Sequence, residues 1–174
     1  MYSIELKIPK ARVAVLIGRK GSMKKFLESK LRVNIRVSKE GDVLIIGESL
    51  NNLIAQRVVK AIGRGFNPSI ALNLMRDDYN FEVIDMRNFT GKSKSALFRI
   101  RSRIIGTKGK AWKNMESLCH VDIAVHGHTV AVIGEIADAD LARLAIEKLM
   151  RGSPHGKVYE YIDKQRKRID QELY

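Results

Sequence analysis

Two stretches of this chain, residues 16–37 and 104–125, are copies of one another: at an offset of 88 positions, ten of 22 residues are identical. The identities are Ile17/Ile105, Gly18/Gly106, Lys20/Lys108, Gly21/Gly109, Lys25/Lys113, Glu28/Glu116, Ser29/Ser117, Val33/Val121, Ile35/Ile123 and Val37/Val125. After a shift of the offset to 87 the match resumes at Val43/Val130, Ile46/Ile133, Gly47/Gly134, Glu48/Glu135, Ala55/Ala142 and Arg64/Arg151. The lost residue falls between Ser38 and Asp42, where Glu40-Gly41-Asp42 reads as a hairpin turn of variable length. Such a repeat means that one folding unit occurs twice, and 174 residues leave roughly 80 for each copy, enough for a small domain with its own core.

Each copy reads as β-α-α-β-β-α. In the first, Ile4-Glu5-Leu6-Lys7-Ile8 alternates apolar and polar residues as a half-buried strand does, and Pro9 ends it. A short helix is predicted over 11–17, stopped by Gly18, and a second over 22–30, with Ser22 as cap and Met23, Phe26, Leu27 and Leu31 facing the core. Val33, Ile35 and Val37 alternate with Asn34 and Arg36, and 43–46 answers across the turn. An amphipathic helix follows over 50–63, with Leu53, Ile54, Val58, Ala61 and Ile62 at its apolar positions. The second copy repeats this with a strand over 81–86, helices over 95–105 and 110–118, strands over 121–125 and 129–133, and a helix over 137–150. The expected division is 1–64 and 80–151 for the two copies, 65–79 for a helical connector, and 152–174 for a helical tail. In that tail Val158, Tyr161, Ile162 and Ile169 share a face that needs a partner.

Charge is segregated. The chain carries 32 Lys and Arg against 19 Asp and Glu, a net +13. Residues 7–36 hold ten basic side chains and one acid, Glu28; residues 87–113 hold nine basic side chains and no acid. Each block is thus net +9, and everything else is net −5. A dispersed excess only keeps a protein in solution, whereas blocks of this kind are the footprint of a polyanion-binding surface, nucleic acid first among them.

Each basic block contains one Gly-x-x-Gly turn, Gly18-Arg19-Lys20-Gly21 and Gly106-Thr107-Lys108-Gly109, where two predicted helices meet. Glycines let a backbone approach a ligand closely, and the N-terminus of the next helix favours phosphate. One such turn is weak evidence. Two, at matching positions of a repeat and inside both basic blocks, point to a binding device. The candidate site residues are Ile17, Gly18, Arg19, Lys20, Gly21, Lys24 and Arg36 in the first copy, and Arg103, Ile105, Gly106, Thr107, Lys108, Gly109, Lys110 and Lys113 in the second.

These motifs resemble the KH family, whose Gly-x-x-Gly loop clamps the backbone of about four single-stranded nucleotides. Both copies carry the family's Ile-Gly-x-Lys-Gly core, as Ile17 to Gly21 and Ile105 to Gly109. The resemblance implies an α+β fold of two tandem type I KH domains, each a three-stranded antiparallel sheet packed on three helices. Gly63-Arg64-Gly65-Phe66, Ile100 to Gly106 and Gly152 to Tyr159 narrow it to a tandem-KH family of small-subunit ribosome-assembly factors, the archaeal counterparts of the eukaryotic partner of the Nob endonuclease. What this implies is binding of (pre-)ribosomal RNA near the 3′ end of the small-subunit RNA. The implied protein partners are the maturation endonuclease and the alpha subunit of translation initiation factor 2. Eukaryotic members have lost the first glycine turn, whereas Gly18 to Gly21 is intact here. A KH regulator of messenger RNA is the alternative within binding modules. Phosphates would be held by Arg19, Lys20, Lys108 and the turn amides, which sets register, and base edges read by Asn34, Arg36 and Asp122. Aromatic residues are only 6% of the chain, so stacking platforms are scarce, and Trp112 and Phe26 are expected in the cores.

Enzymatic, metal and cofactor chemistry finds little support. Gly91-Lys92-Ser93 resembles the end of a phosphate-binding loop, but Met86 stands where the fingerprint of a nucleotide hydrolase requires glycine. Cys119, His120, His126 and His128 match no usual zinc spacing, and Asp138 and Asp140 open a helix, where the dipole explains them. Lys164 to Arg168 reads as a solvated helix face. The single cysteine, the lack of an N-terminal signal-like region, and apolar runs far short of the roughly 20 residues that span a bilayer imply a cytoplasmic protein without a membrane segment.

Overall fold

The computed structural model describes residues 1–174, which form two compact units, Met1–Asp77 and Asp78–Tyr174. The first unit runs β1 (Tyr2–Lys7), α1 (Lys10–Ile17), α2 (Ser22–Leu31), β2 (Val33–Val37), β3 (Asp42–Gly47), α3 (Ser49–Gly63) and α4 (Pro68–Ala71). The second runs β4 (Tyr79–Asp85), α5 (Arg87–Thr90), α6 (Lys94–Ile105), α7 (Lys110–Cys119), β5 (Asp122–His126), β6 (Thr129–Glu135), α8 (Ile136–Met150) and α9 (His155–Glu172). Each unit has one three-stranded antiparallel sheet, in the orders β1-β3-β2 and β4-β6-β5. The α+β class and the twofold β-α-α-β-β-α plan are therefore those expected of the sequence.

The alternation read in the strands places the cores. Ile45 on the central strand pairs with Ile4 and Ile35 on either side and is fully buried. The same unit buries Leu16 of α1, Leu27 and Leu31 of α2, and Val58 and Ile62 of α3. Each such side chain contributes roughly 1.5–3 kcal/mol of hydrophobic stabilisation relative to exposure. Ile104, Met115, Ile123, Val132 and Ile146 build the equivalent core of the second unit.

Two identities in the repeat are explained by the fold. Glu28 accepts the Ile35 backbone N–H at 2.7 Å, and Glu116 accepts that of Ile123 at 2.9 Å. In both units a carboxylate late in one helix ties down the edge strand that follows, satisfying a strand donor that has no neighbour on its open side.

Several apolar residues do not lie where periodicity put them. Phe26 is 45% exposed and Leu53 52% exposed, against the expectation that both face the core. Leu27 and Leu31, one turn apart, suffice to cover the sheet from α2. Phe26 lies about 100° round the helix from Leu27; its ring sits 5.7 Å from the Lys30 ammonium. On α3 the buried place beside Leu53 is taken by Asn52, whose Nδ2 donates to the carbonyls of Tyr2 (2.8 Å) and Gly47 (3.3 Å) and so closes the ends of β1 and β3. Ser22 is not a helix cap: the cap position belongs to Gly21, in the left-handed region, and no side chain caps α2.

The residues between the repeats pack on α3 within the first unit, with Asn67 Oδ1 capping α4 by accepting the Ser69 N–H at 3.0 Å. The apolar face of the tail finds its partner within the second unit, where α9 lies on α7 and α8 and buries Val158 and Ile162. Arg166 fastens it, donating to Asp138 Oδ1 at 2.6 Å and to the Cys119 carbonyl at 2.7 Å. This arginine of the basic run is only 14% exposed, so that run is not wholly a solvated face.

Candidate nucleic-acid interface

The two glycine turns share one backbone geometry. α1 ends at Gly18 (φ 72°, ψ 177°), α6 at Gly106 (φ 72°, ψ 176°), and a single 3-10 turn leads from each into the next helix. A Cβ on Gly18 would lie 2.6 Å from that of Met23, and one on Gly106 would lie 2.7 Å from that of Ala111. Glycine is therefore demanded twice over, by positive φ and by helix-on-helix contact. Gly21 and Gly109 are also at positive φ, but a Cβ there would meet nothing. These two leave the outer corner of the turn open to a ligand.

Between the glycines stands a lysine in the left-handed region, Lys20 (φ 53°, ψ 29°) or Lys108 (φ 55°, ψ 30°). A non-glycine residue there carries backbone strain of roughly 1–2 kcal/mol. The same strain at the same lysine in both units presents an ammonium at the corner rather than improving the packing, since both side chains are exposed and neither forms an ion pair. The helices that follow, α2 and α7, have no side chain capping their first turns. Those backbone donors and the positive helix end suit a phosphate.

Around these corners the structure gathers Arg19, Lys20 and Gly21 with half-buried Ile17, and Thr107, Lys108, Gly109, Lys110 and Lys113 with half-buried Ile105. Three other candidates are placed differently. Lys24 lies in the first turn of α2, but its ammonium is engaged, donating to Glu28 Oε1 (3.2 Å) and the Ile35 carbonyl (2.9 Å). Arg36 is exposed on the sheet face away from the helices, because Val33 and Ile35 turn inward. Arg103 is half-buried and donates to the Ser153 carbonyl at 2.5 Å, while a ring nitrogen of His155 lies 2.8 Å from the Arg103 carbonyl. The tail thus closes on the helix leading into the second turn, leaving a shallow groove of about 450 Å³ lined by Gly106, Thr107, Lys110, Asn114, His155 and Tyr159 among others. No carboxylate lines it.

Of the base-reading candidates, Asn34 is exposed beside Arg36, and Asp122 is half-buried. Burial first, and the neighbouring Glu116 second, push the Asp122 carboxyl above its usual range. Trp112 is half-buried against the second core, its indole N–H buried without a partner.

The remaining motifs are occupied structurally. Gly91 ends α5, and Ser93 Oγ caps α6 by accepting the Ala96 N–H at 3.2 Å, so Gly91-Lys92-Ser93 joins two helices rather than a strand to a helix. Burial pushes the Cys119 thiol up to about 12. His128 faces Asp85 at 3.2 Å. Arg87, hydrogen-bonded to Asp85, is the main cause that holds that carboxyl far below the usual range, with His128 adding to it. No helix is long and apolar enough to cross a membrane.

Sequence reasoning missed two features of this surface. The short helix α5 lies between the strand predicted over 81–86 and the helix predicted over 95–105, where the sequence reading assigns no element. Phe98, 72% exposed on the helix that enters the second turn, carries no signal in a periodicity reading beyond its place opposite Ile104.

Comparison with known proteins finds the same arrangement. Residues 80–167 match the family model described as eukaryotic type KH-domain (KH-domain type I), and residues 3–61 match the KH domain model. A KH domain-containing protein of Methanocaldococcus jannaschii is 43% identical over 173 residues, covering 96% of this chain and 76% of that one. The pre-rRNA-processing protein pno1 of Aspergillus fumigatus is 34% identical over 105 residues, 58% of this chain; the chain spans only 41% of that relative's length. A chain in the crystal structure of the a/eIF2alpha–aDim2p–rRNA complex from Pyrococcus horikoshii superposes with a TM-score of 0.88 at 40% identity, over 95% of this chain and 94% of that one.

Proposed function

The chain belongs to the KH-domain family, as a tandem-KH relative of the PNO1 and Dim2 ribosome-assembly proteins, and from that membership we propose that it is a single-stranded RNA-binding scaffold acting on (pre-)ribosomal RNA near the 3′ end of the small-subunit RNA. The observation that carries the proposal is the duplicated turn, with a lysine held left-handed at an open corner in both units. At each corner the lysine and the uncapped amides of the following helix hold successive phosphates, which fixes register without reading sequence. Ile17 and Ile105 then offer an apolar surface to the bases. Residues 1–64 and 80–151 are the two RNA-binding domains, joined by 65–79, with 152–174 buttressing the second.

The protein acts by binding rather than turnover. Its RNA-binding residues are Ile17 to Gly21 and Ile105 to Lys110 with Lys113; Lys24, Arg36 and Arg103 support the surface from its edges. By likeness to the complex from Pyrococcus horikoshii, the alpha subunit of initiation factor 2 is a protein partner, and the resemblance to the partner of the Nob endonuclease makes the small-subunit maturation endonuclease a second. The setting is the cytoplasm, where ribosomal subunits assemble.

The test is binding of the purified protein to a single strand matching the small-subunit 3′ end, beside a shuffled strand of equal length, across a salt series. Tighter binding to the native strand that persists as salt rises is expected. Equal binding to both strands, collapsing together with salt, would leave a non-specific basic protein and overturn the reading.

A further inference from the structure

We propose that Phe98 is a base-stacking platform for the RNA strand where it runs along α6 away from the second glycine turn. The inference rests on the RNA-binding reading above and extends it to a residue outside the turn. Phe98 is 72% exposed, whereas Ile104 of the same helix is 1% exposed. Seven residues, just under two turns, separate it from Ile105, so ring and isoleucine share a helix face about 10.5 Å apart.

The company this ring keeps decides between occupants. Its helical neighbours one turn away are Lys94, Ser95, Arg101 and Ser102, all exposed, and neither Lys94 nor Arg101 forms an ion pair. A protein-docking patch would surround an exposed aromatic with further apolar side chains, because the core of such an interface is depleted of charge. A lone aromatic among unpaired cations is instead the composition of a single-strand binder, in which the ring takes a base face and the cations take the adjoining phosphates. The strand need only continue from the turn over Ile105 and Arg101 to reach the ring. The first unit lacks this device: at the matching offset it has Lys10, engaged with Glu40 at 3.1 Å, and buried Val13 in place of Arg101.

The experiment uses the full chain and a set of single strands matching the small-subunit 3′ end, each carrying one 2-aminopurine at a successive position. With the unmodified protein, quenching on binding is expected at one position beyond those held by the turn. Phe98→Ala should abolish that quenching and weaken binding by about tenfold, Phe98→Leu should do the same, and Phe98→Trp should restore both. An oligonucleotide that ends short of the stacked position should bind all four proteins equally. Unchanged quenching and affinity in Phe98→Ala and Phe98→Leu, with the strand still bound, would overturn the platform and assign the ring to a protein partner. Failure of the unmodified protein to bind any of the strands would overturn the RNA-binding reading itself.

Discussion

The two units carry the same turn but dispose of their charge differently. The dihedral angles of Gly18, Lys20 and Gly21 agree with those of Gly106, Lys108 and Gly109 to within about 5°, and the left-handed residues that close α2 and α7, Arg32 and His120, also correspond. Both basic blocks are net +9. In the first, however, Lys7 pairs with Asp42, Lys10 with Glu40 and Lys24 with Glu28, while Arg12 donates to the carbonyls of Ile62 and Phe66 at the end of α3. In the second, Arg87 pairs with Asp85 and Arg103 meets Ser153, but Lys92, Lys94, Arg99, Arg101, Lys108, Lys110 and Lys113 have no carboxylate partner. Arg19, Lys20, Lys25, Lys30, Arg32 and Arg36 of the first block are likewise without a carboxylate partner, so the two blocks leave nearly equal charge available, six side chains against seven. A cation already satisfied by a neighbour attracts phosphate less, and the clearer difference between the units is the tail, which closes on the helix leading into the second turn.

The largest expected effect tests the buttress. Arg166→Met leaves Asp138 buried without its partner, and both side chains are less than 15% exposed. The second unit should lose about 3–5 kcal/mol, read as a fall in its denaturant midpoint, while the first unit's transition stays in place. A common shift of both would show that they unfold together. Next comes the turn itself: Lys108→Asp should weaken RNA binding by roughly tenfold to a hundredfold and flatten its salt dependence, as loss of a charge-assisted contact implies. Lys20→Asp should weaken binding at the first copy alone, and an effect smaller than that of Lys108→Asp would mark the second unit, with its tail, as the principal site. A smaller change still is expected of Lys24→Met, because its ammonium already serves Glu28 and Ile35. RNA affinity should move by less than about twofold, with a stability cost on the order of 0.5–1 kcal/mol.

The smallest effect concerns acid. Because Arg87 and His128 hold the Asp85 carboxyl below its ordinary value, its contribution is present above about pH 4 and is lost as pH falls below that. Asp85→Asn should flatten the decline of the second unit's thermal midpoint in this range. An unchanged acid profile would mean that the pair is as strong in the unfolded chain as in the folded one.

Local features of the chain were legible because local chemistry governs them. The duplication, the alternating strands and the glycine pairs could be read from neighbours a few residues apart, and the family resemblance followed from the Ile-Gly-x-Lys-Gly cores. Less was legible where a polar residue displaced an apolar one: Asn52 is buried and Leu53 exposed because hydrogen bonds to Tyr2 and Gly47 outweigh hydrophobicity at that position. Nothing local marks Phe98 as exposed rather than packed.

By itself, then, the sequence determined that one β-α-α-β-β-α unit occurs twice, that each carries a Gly-x-x-Gly turn, and that positive charge concentrates around both. Those are properties of spacing and composition. Tertiary structure alone decided which charges remain free. Lys10 meets Glu40, Arg12 meets Ile62 and Phe66, Arg103 meets Ser153, and Arg166 meets Asp138 and Cys119, across separations of 28 to 54 residues. A side chain's partner is set by what folding brings within about 3 Å of it, and no periodicity in the chain encodes that distance.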